Sequence, residues 1–226
     1  RTENIDLSPS KIDNRMMGII YEELIRISCE KSNQKSGEHF TPRDIVELLV
    51  SILFTPDKEK LKGKGLIRGL FDPCCGTGGM LTMGSRWIKN NINPDISLRL
   101  CGQELNSQTS SICKSDFLIS GYDPNNIREN SSLSNDKFEN DKFEYLITNP
   151  PFGESWKTDK KEVLEENNPY GRFNVGIPRI DDGSFLFLQH MISKMDKKGS
   201  RLGIIFNGSP LFSGDGGSGE SNIRKW

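Results

Sequence analysis

Histidine is scarce in this chain. Only His39 and His190 occur among 226 residues, which leaves little room for a histidine-based metal site. Cysteine is present but not in a metal-gripping arrangement. Cys29, Cys74, Cys75, Cys101 and Cys113 are odd in number, and adjacent Cys74-Cys75 cannot act as a two-by-two clip on one ion. Reduced thiols in a cytoplasmic protein, with no structural metal, are the expectation. No apolar run approaches the roughly 18–20 residues that a membrane-crossing helix needs, so no membrane span is expected. A surplus of positive charge is also missing. The formal net charge is −1 and the isoelectric point about 6.2, unlike a stand-alone nucleic-acid binder. The chain opens at Arg1 without a charged-plus-apolar leader, and both ends read as trimmed from something longer.

What is present suits one well-packed α/β unit: hydrophobic residues make up 34% and charged residues 27%. From Met16 to Cys29, Met17, Ile20, Tyr21, Leu24 and Ile27 recur at helical spacing. A second helix is expected from Thr41 as cap, with Pro42 in the first turn and Asp44 as the capping-box acid, running through Ile45 to Phe54. Leu66 to Phe71, Ser97 to Gln103, Lys142 to Thr148 and Leu202 to Phe206 read as strands. Met80 to Lys89, Leu105 to Ile119 and the face Phe185, Leu188, Met191, Ile192 and Met195 read as helices. Ser120 to Asn140 reads as turns. Gly153 to Gly183 is a polar connection far longer than the usual ~4–6 residues, expected to be functional or mobile. The glycine-rich stretch Ser213 to Ser221 is expected to be flexible. Alternating strands and helices predict a mostly parallel sheet flanked by helices, with ligands at the C-terminal strand ends.

Two motifs fall at such ends. After the first strand, Asp72-Pro73-Cys74-Cys75-Gly76-Thr77-Gly78-Gly79 turns into a helix. Glycines allow positive φ and close approach of a ligand to backbone N–H groups. The G-x-G-x-x-G spacing of dinucleotide enzymes is absent, which argues against a dehydrogenase. Asp72 suits the ammonium end of an amino-acid-like ligand, and Glu104, ending the next strand, suits a ribose. Asn149-Pro150-Pro151-Phe152 follows the third strand. Consecutive prolines force the chain out of the sheet and stiffen it. The Asn149 side-chain oxygen and the Pro150 carbonyl can then face one point. An aromatic amine is a poor nucleophile because its lone pair is delocalised. Two acceptors on its hydrogens favour a tetrahedral nitrogen able to attack an activated methyl group, with Phe152 stacking on the ring, a contact worth about 1–3 kcal/mol. A base within a duplex would first be flipped out.

In their order and spacing these segments resemble the modification (M) subunits of type I restriction–modification systems, which are amino-group DNA adenine methyltransferases. The resemblance runs along nearly the whole chain, through Gly37-Glu38-His39-Phe40-Thr41-Pro42, Asp72-Pro73 with Gly76-Thr77-Gly78-Gly79, Gly102-Gln103-Glu104, Asn149-Pro150-Pro151-Phe152-Gly153, and Asp182-Gly183-Ser184 leading to Phe187-Leu188-Gln189-His190-Met191. It implies a Rossmann-like S-adenosylmethionine-dependent methyltransferase fold, with residues 1–39 as a helical lead-in and 40–226 as a C-terminally truncated catalytic core. It implies that Phe40, Thr41 and Pro42 line the cofactor pocket, that Asp72, Gly76, Thr77 and Gly78 surround the methionine part, and that Glu104 meets the ribose. The residue on the cofactor adenine, often an aspartate in the family, falls at Asn130-Ser131 here. The implied partners are DNA, a specificity subunit that reads its sequence and a restriction subunit. A separate specificity subunit fits the near-neutral charge. This stretch alone is expected to bind cofactor at best, with weak or no methylation. The rival readings are an RNA or protein-glutamine amino methyltransferase of the same fold, which often has tyrosine where Phe152 stands, and a non-catalytic scaffold for a specificity subunit.

Overall fold

A computed structural model describes residues 41–226 and, ahead of them, positions 8, 10–12, 16, 17, 20, 23, 24 and 27. Met16, Met17, Ile20, Glu23, Leu24 and Ile27 are helical. The rest of the expected lead-in, Phe40 included, lies outside the described residues.

The strands β1 (Ile67–Asp72), β2 (Ser97–Glu104), β3 (Ile127–Glu129), β4 (Tyr145–Thr148) and β5 (Arg201–Ile204) form one sheet of order β3-β2-β1-β4-β5. Every pairing is parallel. Strand residues alternate between its faces, so each face needs its own cover. Leu70, Leu98, Leu100, Tyr145 and Ile147 pack on one side, together with helices α1 (Arg43–Phe54), α2 (Gly79–Asn91) and α3 (Ser107–Ile119). Phe71, Cys101 and Leu146 pack on the other with Phe138, Phe143 and Met191, the last from α5 (Ser184–Ser193). This is a doubly wound α/β sheet. Its order reverses between β1 and β4, where ligands bind in open parallel sheets. Both sequence motifs start at that reversal.

Several local expectations are corrected. Pro42, not Thr41, is the N-cap of α1, and no side chain caps that helix. The predicted turns of 120–140 contain the short edge strand β3, whose three residues, Ile127–Glu129, are too few to show a period. Strand β4 begins at Tyr145 rather than Lys142, and β5 ends at Ile204 rather than Phe206. The connection 153–183 is packed, with helix α4 (Lys160–Glu165) inside it. Trp156, Val163 and Phe173 form a separate apolar cluster with Leu133 and Leu186. The Trp156 indole donates to the Arg179 carbonyl at 2.8 Å. The glycine-rich tail ends in helix α6 (Gly219–Lys225), capped by the Ser218 hydroxyl. Buried Glu220 accepts from the Arg179 backbone N–H at 2.8 Å, tying that tail to the connection. Such partners lie far apart in sequence, so composition alone could not reveal them. No helix among the described residues is long and apolar enough to cross a membrane.

Candidate active site

Asp72 ends β1 and is almost fully buried. Its Oδ1 accepts from the Cys74 backbone N–H at 2.9 Å and from the Thr148 hydroxyl at 2.7 Å. Burial pushes its carboxyl up to about 7, against the pull of these two hydrogen bonds and with a smaller push from the Glu104 charge. Thr148 is the last residue of β4 and wholly buried, so its hydroxyl spans the reversal point and joins the two motifs. Sequence reasoning missed it. A threonine ending a predicted strand carries no motif signal of its own.

The glycine turn is held open by Glu104. One carboxylate oxygen accepts from the Gly76 N–H at 2.9 Å and the other from the Asn106 N–H at 2.8 Å. Gly76 has φ 54° and nothing within 4 Å of where a Cβ would stand. Gly78, with φ 85°, caps α2 in the left-handed conformation. A Cβ on it would lie 2.7 Å from Cys113 Sγ. Gly76 thus faces space, whereas Gly78 permits close packing on α3. Thr77 between them is half-buried.

Asn149 lies just beyond β4, and its Nδ2 donates to the Thr41 hydroxyl at 2.9 Å. Its Oδ1 is buried and has no hydrogen-bond partner. An orphaned buried acceptor costs about 1–3 kcal/mol, so its retention calls for an explanation. Thr41 Oγ1 also lies 4.0 Å from Met80 Sδ, as donor to the sulfur. The threonine therefore gives up the helix-capping role that its sequence position suggested and serves the asparagine instead. Pro150 is buried, and no hydrogen bond of the described residues engages its carbonyl. Pro151 and Phe152 are half-buried, and Phe152 belongs to none of the apolar clusters, so its ring is not committed to the core.

Asn130 follows β3, beside Glu104, whose carbonyl accepts the Asn130 backbone N–H at 3.0 Å. Its side-chain oxygen accepts from the Ser131 N–H at 3.2 Å, a turn-forming contact. Buried Gln103, which sequence reasoning quoted only within a motif, organises this wall. It donates to the Asn130 and Asn135 carbonyls at 3.2 and 2.9 Å and accepts from the Lys137 N–H at 2.9 Å. Direct contacts therefore join Thr41 to Asn149, Asp72 to the residue before Asn149, and Gly76 to Glu104. Asn130 stands at the outer edge and Pro42 at the start of α1. Among the described residues no group of three or more His, Cys, Asp or Glu side chains is placed to hold a metal ion.

The family model described as N-6 DNA Methylase matches residues 12–226. The MjaVII methylase subunit of a type I restriction enzyme from Methanocaldococcus jannaschii is 30% identical over 226 residues, covering 96% of this chain and 35% of that protein. The HindI methylase subunit from Haemophilus influenzae is 28% identical over 198 residues, covering 86% of this chain and 41% of that one. The chain thus spans well under half the length of these relatives. Among solved structures, the methyltransferase subunit of a type I restriction-modification system from Streptococcus thermophilus matches with TM-score 0.79 at 24% identity, covering 97% of this chain and 44% of that chain. A putative class I S-adenosylmethionine-dependent methyltransferase from Listeria monocytogenes matches with TM-score 0.69 at 15% identity, covering 92% and 58%. These two likenesses establish a methyltransferase fold. Taken with the family match over nearly the whole length, they mean that the chain belongs to the N-6 DNA methylase family.

Proposed function

We propose that this chain is the methyl-transferring core of a DNA adenine methyltransferase, within the modification subunit of a type I restriction–modification enzyme. Residues 40–226 form that core and 1–39 a helical lead-in. The observation that carries the reading is the Asn149 amide. Its NH2 group is held by Thr41, while its buried oxygen lacks a donor. An exocyclic amine supplies such a donor. Asn149 Oδ1 and the Pro150 carbonyl accept its two hydrogens and draw the nitrogen toward a tetrahedral, nucleophilic shape. Phe152 stacks on the flipped base, and Pro151 keeps the segment rigid.

The surrounding residues fit S-adenosylmethionine, which when bound supplies a methyl group activated on a sulfonium. Gly76 leaves room at the turn, and Thr77 and Gly78 complete it. Asp72 receives the ammonium end, and Glu104, at the end of β2, the ribose hydroxyls. Phe40, Thr41 and Pro42 line the pocket, and Asn130 meets the adenine edge. The near-neutral charge supports a separate specificity subunit as the source of most DNA contacts. A restriction subunit completes the assembly, located in the cytoplasm.

The test is Asn149→Ala in the full-length chain with its specificity subunit. We expect methyl transfer to DNA to fall by about a hundredfold or more, the scale for deleting one polar group aimed at the reacting centre. Cofactor affinity should change little. Transfer retained within tenfold removes Asn149 from its role, and labelling of RNA or protein in place of DNA moves the substrate.

A further inference from the structure

The geometry points to Thr41 and Met80 as positioning residues that decide which end of the Asn149 amide faces the target amine. This rests on the function proposed above and goes beyond it, because neither residue need touch the reacting nitrogen. A primary amide is nearly symmetric in shape. Rotated by half a turn, Asn149 would present NH2 to the incoming amine and set donor against donor. Something must fix its polarity.

The Thr41 hydroxyl alone cannot, since it can either donate or accept. Met80 Sδ breaks that symmetry. A thioether only accepts, so the hydroxyl proton goes to the sulfur at 4.0 Å. The lone pairs of Oγ1 are left for the Asn149 NH2 group at 2.9 Å. The outcome is Oδ1 turned away from Thr41, buried and unpartnered. Met80 is buried in the first turn of α2, directly after the glycine turn, so this relay ties the amide's orientation to the element that begins the cofactor cradle.

The experiment compares Thr41→Val, Thr41→Ser and Met80→Leu in the full-length chain with its specificity subunit, reading kcat, DNA KM and cofactor dissociation separately. Thr41→Val should lower kcat about tenfold with DNA KM within about threefold. Thr41→Ser, which keeps the hydroxyl, should restore kcat to within about twofold. Met80→Leu should lower kcat about threefold, with no further loss when added to Thr41→Val, because both break one relay. If Thr41→Val loses its cooperative thermal transition, Thr41→Ala is read against the same criteria.

A kcat within twofold of wild type in the variant lacking the hydroxyl overturns the inference. So does a Thr41→Ser variant as slow as Thr41→Val, which would place the effect in packing, and so does strict additivity with Met80→Leu. An active Asn149→Ala variant would instead strike the proposed function, so the two failures are distinguishable.

Discussion

The corner where β1 and β4 end and the lobe formed by residues 153–183 are neighbours built on opposite principles. At the corner, polar groups keep unused capacity: Asn149 Oδ1 has no partner, and Gly76 borders open space. Around the lobe, a network of charged groups is committed to the protein itself. Arg172 donates to the Ser132 and Leu133 carbonyls at 2.7 and 2.8 Å, to His190 Nδ1 at 2.8 Å, and to both Glu166 oxygens. Lys194 pairs with Asp136 and reaches the Phe138 and Glu139 carbonyls. His190 is fully buried, and burial, then the charges of Arg172 and Lys194, hold its imidazole neutral. The surround is not wholly satisfied, since His190 Nε2 and Gln189 Oε1 are also buried without a hydrogen-bond partner, but its charges are paired within the protein. The link is physical. Arg172 grips residues 132 and 133, and the buried Ser132 hydroxyl donates to the Pro73 carbonyl at 2.6 Å, next to Asp72.

The largest expected effect on stability lies in the lobe. Arg172→Ala strands Glu166 and His190 and frees two carbonyls of the site wall. Because Glu166 is 35% exposed, the loss comes mainly from the buried groups left without a donor, at about 1–3 kcal/mol each. Arg172→Lys should recover little, because an ammonium cannot reproduce the fork of a guanidinium. Urea unfolding checks both, beside Asn149→Ala, which removes the orphaned acceptor together with the bond to Thr41 and should be much less destabilising than Arg172→Ala. A wild-type midpoint for Arg172→Ala would erase the contrast between the two regions.

A somewhat smaller effect separates the regions by pH. The folded protein keeps the Asp72 proton up to about pH 7, because burial raises that carboxyl from an ordinary value of 3.8. The unfolded chain releases it much earlier. Between those values the folded state therefore binds more protons, so stability declines as pH rises from about 4 to 7. Asp72→Asn removes this decline. The variant should gain about 2–3 kcal/mol relative to wild type between pH 5 and pH 8 while binding S-adenosylmethionine more weakly. Parallel curves for the two proteins would show that Asp72 does not titrate in that window. Thr148 should sharpen the result, since its hydroxyl is the leading group that lowers the Asp72 carboxyl. Thr148→Val should move the decline to higher pH.

The same two regions differ in how far the sequence could be read. Gly76, Gly78, Glu104 and Asn149 could be placed at strand ends because glycine turns and consecutive prolines impose local backbone constraints. The parallel α/β sheet was legible from apolar runs alternating with helical periods. Thr41 was misread as a cap, since Thr-Pro before an apolar run is a local signal and its actual partner, Asn149, is 108 positions away. The lobe was illegible for the same reason. Its polar composition suggested a loose connection, whereas Trp156, Val163 and Phe173 find their apolar partners in Leu133 and Leu186. Spaced singly among charges, these residues give no period, and only the fold brings them together.

The smallest expected effect on stability is at Gly76, which the comparison sets against Gly78 of the same turn. Alanine at either position carries the strain of a positive φ, about 1 kcal/mol. At Gly78 the new methyl also meets Cys113 Sγ at 2.7 Å and the Phe117 ring at 3.0 Å, where Phe117 is wholly buried. Overpacking there adds about 1–3 kcal/mol. At Gly76 the methyl meets nothing of the protein, so the loss should stay near the strain alone. The ligand-binding consequences should run the other way. Gly76→Ala fills the space assigned to S-adenosylmethionine and should weaken its binding by tenfold or more, read by calorimetry, from a fold nearly as stable as wild type. Gly78→Ala should bind it within a few-fold wherever it remains folded. Equal losses of affinity in the two variants would mean that the open side of the turn is not where the cofactor lies.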